Sequence, residues 1–312
     1  MSRPLLVAYR ALGVGDLLTA VPALRALAAP FPEHRRVLAA PGALAGLARL
    51  TGAIDEVVDC APLAPLPPCL HGADVAVNLH GRGPQSHELL LAAGPRRLIA
   101  FGRPPHPVWR SGEHEVARWC RLLVESGIPA DPGDLAIAVP GLPAPAAAVG
   151  ATLIHPGAAS VARRWPPEQW AEVALAERAA GRRVAITGSA AERPVADRVA
   201  RAAGLPDEAV LAGRTDLLEL AAAVAAAARV TCGDTGIAHL ATALGIPSVV
   251  LFGPTPPAEW GPPRNGRHVA LWAGRRGDPH ADEPDPSLLE IRVTDVLDAL
   301  DGAAAATMSA AS

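Results

Sequence analysis

"GDTGIAHLATALGIPSVVLFGPTPPAEWGP", residues 233–262, holds a turn, a helix and a strand in close succession. The segment RVTC before it reads as a strand ending at Gly233, and Asp234, Thr235 and Gly236 turn the chain. IAHLATAL then places apolar residues at helical spacing, and SVVLF is a second short apolar strand. Strand, tight turn, helix and strand in about thirty residues make a βαβ unit, which belongs to a parallel sheet. A helix that opens at the carboxyl end of such a strand points unpaired N–H groups into the crevice where ligands of α/β sheets bind. That is a favourable place for phosphate. Thr235 adds a hydroxyl donor, Gly236 leaves room for close backbone approach, and His239 lies on the first helical turn. Asp234 repels phosphate directly, so its expected task is to orient the turn or His239.

The same alternation extends in both directions. Strands are expected over 5–10, 36–40, 57–60, 75–79 and 98–101, with a glycine turn at Gly13-Val14-Gly15-Asp16 and a helix over 17–28. The stretch 138–151, AVPGLPAPAAAVGA, has no charged residue and reads as a linker. Beyond it come strands over 152–155, 183–187, 230–232 and 248–252, interleaved with helices over 167–180, 192–203, 217–228 and 237–244. The expected organisation is a Rossmann-like domain over 1–145, a second over 146–290, a helix over 291–302 and a disordered small-residue tail over 303–312. The acidic stretch 274–286 reads as a solvated loop and not as a metal cluster.

With 312 residues the chain suits two domains of about 150 residues each. Aromatic residues are only 3% of the chain, so the cores are expected to be built from Leu, Val, Ile and Ala. The formal charge of -3 offers no basic field for nucleic acid. There is no lysine, so arginine carries every fixed positive charge. The four cysteines form no C-x-x-C pair, and no run approaches the ~20 apolar residues of a membrane span. The amino-terminal apolar stretch is too short for a signal peptide. These features predict a cytoplasmic protein with no transmembrane segment.

Three further stretches bear on chemistry. Gly13-Val14-Gly15 stands where a dinucleotide fingerprint would, but Leu18 occupies the position of its third glycine. Asp16 offers another use, as a carboxylate at the crevice, or it serves only as an acidic partner of the helix dipole. LIHPGAASVARRWPPEQW, residues 153–170, sets Arg163 and Arg164 after a small-residue turn, within reach of a diphosphate. AITGSAAERP repeats the strand-then-loop pattern and offers Glu192 either for ribose hydroxyls or as an ordinary residue at a helix start.

Taken together, GVGDLLTAVPALRAL, VNLHGRGPQS, HPGAASVARRWPPEQW and GDTGIAHLATALGIPSVVLFGPT resemble glycosyltransferase family 9, the bacterial lipopolysaccharide heptosyltransferases, over nearly the whole chain. The resemblance implies an α/β GT-B fold, with two Rossmann-like domains whose parallel sheets face a central cleft. It implies that the Asp234-Thr235-Gly236-x-x-His239 turn holds the donor diphosphate with help from Arg163, which replaces a lysine found in relatives. Glu192 would hold ribose, and Asp16 would be the catalytic base. On the acceptor side the first domain offers mainly His80, Arg82, Arg96, Arg97 and Arg103, with His80, Arg82 and Arg103 the candidate contacts. These few cations leave both a lipid and a soluble acceptor open.

The expected activity is inverting transfer of a sugar, heptose from ADP-heptose or a close relative, with no cofactor and no required metal. Its partners are a nucleotide-sugar donor and a sugar-containing acceptor. Two other classes use the same diphosphate site. A nucleotide-sugar hydrolase or epimerase forms product without an acceptor, and a non-catalytic nucleotide-sugar-binding protein turns over nothing.

Overall fold

The computed structural model describes residues 3–103 and 105–310. Packing divides the chain into two compact units, Met1–Ala138 and Val139–Ser312. In the first, β1 (Leu5–Tyr9), β2 (Arg35–Ala40), β3 (Glu56–Asp59), β4 (Val75–Asn78) and β5 (Arg97–Ile99) pair in the order β3-β2-β1-β4-β5. Every pair is parallel. In the second, β6 (Thr152–His155), β7 (Val184–Ile186), β8 (Arg229–Gly233), β9 (Ser248–Phe252) and β10 (His268–Trp272) pair in the order β10-β9-β8-β6-β7, again all parallel. The chain therefore has the α/β class expected from its alternating pattern. Parallel strands are covered on both faces, which is why β4, β6, β8 and β9 are buried along their whole length.

The core of the first unit gathers Val7, Tyr9, Val37, Ala39 and Leu90. That of the second packs Ile154, Ile186, Val249 and Leu251 against Trp165, Trp170, Val296 and Leu300. Several elements differ from the expected ones. The helix over 17–28 is two helices, Val14–Thr19 and Val21–Ala26, because Pro22 at the start of the second has no N–H to bond back into the first. Helices Gln85–Ala92 and Glu115–Glu125 and strand β10 were not anticipated. In β10 only His268 is fully buried, as befits a sheet edge with a weak apolar signal. The last helix runs Val293–Ala310, which corrects the expected tail over 303–312. The run GAAAATMSA is rich in strong helix formers and contains no proline to stop the helix. Residues 311 and 312 of that tail lie outside the described residues. Among the described residues, no helix is long and apolar enough to cross a membrane.

At the amino ends of β6 and β8 a buried charge network joins three elements. Glu177, wholly buried on helix Pro167–Ala179, accepts from Arg229 Nη2 at 2.7 Å, from Arg182 Nη1 at 2.8 Å and from the Thr152 hydroxyl. Arg229 donates further to the Leu300 carbonyl at 3.1 Å, which ties in the last helix. Breaking such a pair strands a charge in a low-dielectric interior. Glu177→Leu is expected to destabilise the protein by about 3–5 kcal/mol. The double change Glu177→Leu with Arg229→Met is expected to recover most of that loss, as measured by denaturant titration.

Candidate active site

Each sheet has one place where successive connections depart to opposite sides, and there the carboxyl ends of two neighbouring strands open a crevice. In the first unit it lies between β1 and β4, and in the second between β6 and β8. The sequence places a titratable residue at or just beyond each of these ends: Arg10 after β1, His80 after β4, His155 on β6 and Asp234 after β8.

In the first unit, Asp16 sits on the opening turn of helix Val14–Thr19, where its Oδ2 accepts the Gly13 N–H at 3.2 Å. Its Oδ1 receives Arg10 Nη2 at 3.1 Å, so Asp16 does more than complement a helix dipole. Arg10 is fully buried and meets acceptors on every side. Its Nε donates to the Asp16 carbonyl and its Nη1 to the Leu79 carbonyl, while Nη2 also reaches Glu115 Oε1 at 2.9 Å and Thr19 Oγ1 at 3.3 Å. The Asp16 side chain retains 26% of its exposure. Burial raises its pKa above the ordinary 3.8; the Arg10 cation opposes that rise and the Glu115 carboxylate adds to it. Leu18, at the position of a third fingerprint glycine, is a core residue, and a dinucleotide loop is excluded there.

His80 stacks on Tyr9 with ring centroids 4.6 Å apart, and its Nδ1 is buried without a hydrogen-bond partner. Burial, and then the Arg10 cation, push its pKa down to about 4, so at neutral pH His80 is an uncharged hydrogen-bonding group. Arg82 and Arg103 are exposed and stand outside this buried cluster.

In the second unit, Thr235 is the extended N-cap of the eight-residue helix Gly236–Ala243, and its side chain makes no capping bond. Arg163 Nη1 lies 3.3 Å from the Asp234 carbonyl and 3.7 Å from Asp234 Oδ2, while its Nε is buried with no partner. Asp234 thus orients Arg163 along with the turn. Burial raises the Asp234 pKa against the pull of Arg163. A Cβ on Gly233 would lie 3.0 Å from the Arg163 carbonyl, so glycine lets β8 end this close to the arginine loop without displacing it. His239, half-buried on the first turn, meets Trp260 edge to face at 5.9 Å. An arginine, an imidazole, a hydroxyl and a helix N-terminus are the kinds of group that bind anions.

Glu192 lies beside the end of β6, next to His155 and Gly157. Its Oε2 accepts the Ser189 N–H at 2.7 Å and stands 3.8 Å from His155 Nε2, and His155 Nδ1 pairs with Thr187 Oγ1 at 3.0 Å. Burial works to raise the Glu192 pKa, but Ser189, His155 and Arg164 outweigh it and hold the carboxylate ionised. Burial lowers the His155 pKa, with Glu192 pulling the other way. A Cβ on Gly157 would come 2.1 Å from Glu192 Oε1, so the glycine of His155-Pro156-Gly157 is what admits the carboxylate.

Arg10, Glu115, His155 and Gly157 were not among the expected site residues. Arg10 and His155 carried a readable signal, a titratable residue closing an apolar strand before a turn. Glu115 lay in an unread helix, although Val116, Trp119, Cys120 and Leu123 have helical spacing behind the His114 cap. Among the described residues, no three His, Cys, Asp or Glu side chains are grouped so as to hold a metal.

A sequence model of the family described as glycosyltransferase family 9 (heptosyltransferase) matches residues 95–288, more than half of the chain. Lipopolysaccharide heptosyltransferase 1 of Pseudomonas aeruginosa is 38% identical over 175 residues, which are 52% of this chain and 45% of that protein. The alignment thus spans less than half of the curated relative. The structure of Escherichia coli ADP-heptose lipopolysaccharide heptosyltransferase II superposes with a TM-score of 0.76 at 21% identity, covering 99% of this chain and 100% of that one. The iron-containing dodecameric glycosyltransferase TibC of enterotoxigenic Escherichia coli superposes with a TM-score of 0.64 at 17% identity, covering 99% and 77%. At these identities the structural likeness speaks for the fold, the GT-B type with its two parallel sheets.

Gly157→Ala is expected to push Glu192 off the Ser189 N–H and to lower stability by about 0.5–2 kcal/mol, the range for a lost helix-start cap. In a Glu192→Ala background the same substitution should cost little more, a coupling read from denaturation of the double-mutant cycle.

Proposed function

The chain belongs to glycosyltransferase family 9, and from that membership we propose that it is an inverting sugar transferase that moves heptose from ADP-heptose to an acceptor hydroxyl. The observation that carries this reading is Asp16, a partly exposed carboxylate of raised proton affinity, held at the switch point of the first sheet by a buried arginine. As the acceptor oxygen attacks the anomeric carbon, its proton passes to Asp16 and the bond from that carbon to the diphosphate oxygen breaks. Attack from the face opposite the leaving group inverts the configuration.

Negative charge then develops on the departing diphosphate. The N–H groups at Gly236, the Thr235 hydroxyl, His239 and Arg163 are the donors proposed to receive it. Preorganised donors of this kind are worth several kcal/mol in a transition state. Glu192, ionised beside Gly157, is suited to accept from ribose hydroxyls. We propose that these groups do without a metal cation. The acceptor in this reading is a soluble small molecule of low charge, since His80 is neutral and the candidate cations Arg82 and Arg103 are exposed and few. All four cysteines are free, which suits a reducing compartment, and we place the reaction in the cytoplasm.

Asp16→Asn is nearly isosteric. It is expected to leave donor affinity within about threefold and to lower turnover by roughly 10²–10⁴. Mass spectrometry of the product from ADP-heptose and a panel of acceptors, with excess EDTA present, reads the outcome. Near-wild-type turnover in the variant removes Asp16 as base, and loss of wild-type activity that a divalent metal restores removes the metal-free mechanism. Product formed without any acceptor would identify a hydrolase.

Arg163→Ala and His239→Ala are each expected to weaken ADP binding by about 1–3 kcal/mol, the range for a charge-assisted hydrogen bond. Isothermal calorimetry checks this, and unchanged affinity in both variants moves the diphosphate elsewhere.

A further inference from the structure

Glu115 is almost completely buried in the first unit and has no part in the reaction described above. Its Oε1 accepts from Arg10 Nη2 at 2.9 Å and from Trp119 Nε1 at 2.8 Å, and its Oε2 accepts from Arg118 Nη1. Arg118 in turn lies over the Trp109 ring at 4.2 Å. The charges therefore run in one chain, Arg118, Glu115, Arg10, Asp16, of which only the Asp16 end keeps appreciable exposure. Arg10 Nη2 has two hydrogens and three acceptors within reach, Glu115, Asp16 and Thr19, and Glu115 holds the shortest contact.

We propose that Glu115 is a positioning residue for proton transfer at Asp16: it locks Arg10 beneath the carboxylate and competes with it for the same guanidinium. Its consequence for turnover rests on Asp16 being the base. Without Glu115, Arg10 would be a full counter-charge to Asp16, and a carboxylate paired that closely is a poor base. With Glu115, Asp16 is oriented by the arginine yet keeps a usable affinity for a proton. The groups that act on Asp16 are Arg10 from the end of β1, the Gly13 N–H, and Glu115, backed by Arg118, from helix Glu115–Glu125; His80 after β4 is neutral and feels Arg10. The raised Asp16 pKa has that composition: burial first, lowered by Arg10, raised again by Glu115.

The signs of two substitutions are opposite. Glu115→Gln removes the competing charge, leaves Arg10 to Asp16, and should lower the Asp16 midpoint by about one pH unit. Arg118→Met removes the cation at the far end, throws Glu115 more fully onto Arg10, and should raise the Asp16 midpoint. Glu115→Asp keeps the charge and should stay near wild type. The test is ¹³C NMR titration of aspartate-labelled protein, with Asp16 assigned by its loss in Asp16→Asn, alongside kcat/KM against pH in each variant.

A base works deprotonated, so the acid limb of kcat/KM should follow the Asp16 midpoint, down in Glu115→Gln and up in Arg118→Met. If Glu115→Gln does not fold, Arg118→Met carries the test through its own sign. A midpoint within a few tenths of a unit of wild type in the variants that fold overturns the proposal. A midpoint that moves as expected while the acid limb stays put upholds the coupling and removes Asp16 as the base.

Discussion

A guanidinium withdrawn from water must be met by acceptors, and in the first unit Arg10 recruits its acceptors from three separate places. The Leu79 carbonyl comes from the end of β4, the Asp16 carbonyl and carboxylate and the Thr19 hydroxyl from helix Val14–Thr19, and Glu115 from a helix 105 residues away. Leaving such a charge unpaired in a low-dielectric interior is very costly, so the arginine specifies how these elements meet. It also decides the character of Asp16. A carboxylate on an unshared arginine would be a weak base, and one buried without a cation would be neutral.

The second unit solves a related problem with the charges exchanged. There a carboxylate, Asp234, is the buried member, and Arg163 keeps more of its exposure. A buried aspartate at a helix N-terminus would by itself repel an anion, but by orienting Arg163 it supports a cationic group at the same turn. Space is managed by glycine. Gly233 lets the strand end close to the arginine loop, and Gly157 admits the Glu192 carboxylate. Neither glycine serves a left-handed conformation: a side chain would clash with Glu192 at Gly157 and crowd the Arg163 carbonyl at Gly233.

Much of this was legible in the chain. Strand alternation and the Asp-Thr-Gly turn lead to parallel sheets, and the positions of Asp16, Arg163, Asp234 and His239 relative to strand ends place them at crevices. What escaped reading shares a physical cause. Glu115 acts through a partner distant in sequence, and its helix is amphipathic, so its buried carboxylate looks like a surface residue at the edge of an apolar stripe. The last helix continues through alanines because propensity alone sustains it where the composition suggests a loose tail.

The α/β class, the strand-to-helix turn at Asp234-Thr235-Gly236 and the membership in a family were readable from the chain alone, because these depend on local periodicity and on motifs a few residues long. Tertiary structure alone decided which charges share a partner. That His80 is neutral, that Asp234 serves Arg163 and that Glu115 competes for Arg10 depend on burial and on distances of a few ångströms between residues far apart in the chain. Proton affinities are set by desolvation and by nearby charges, and neither exists until the strands and helices have packed.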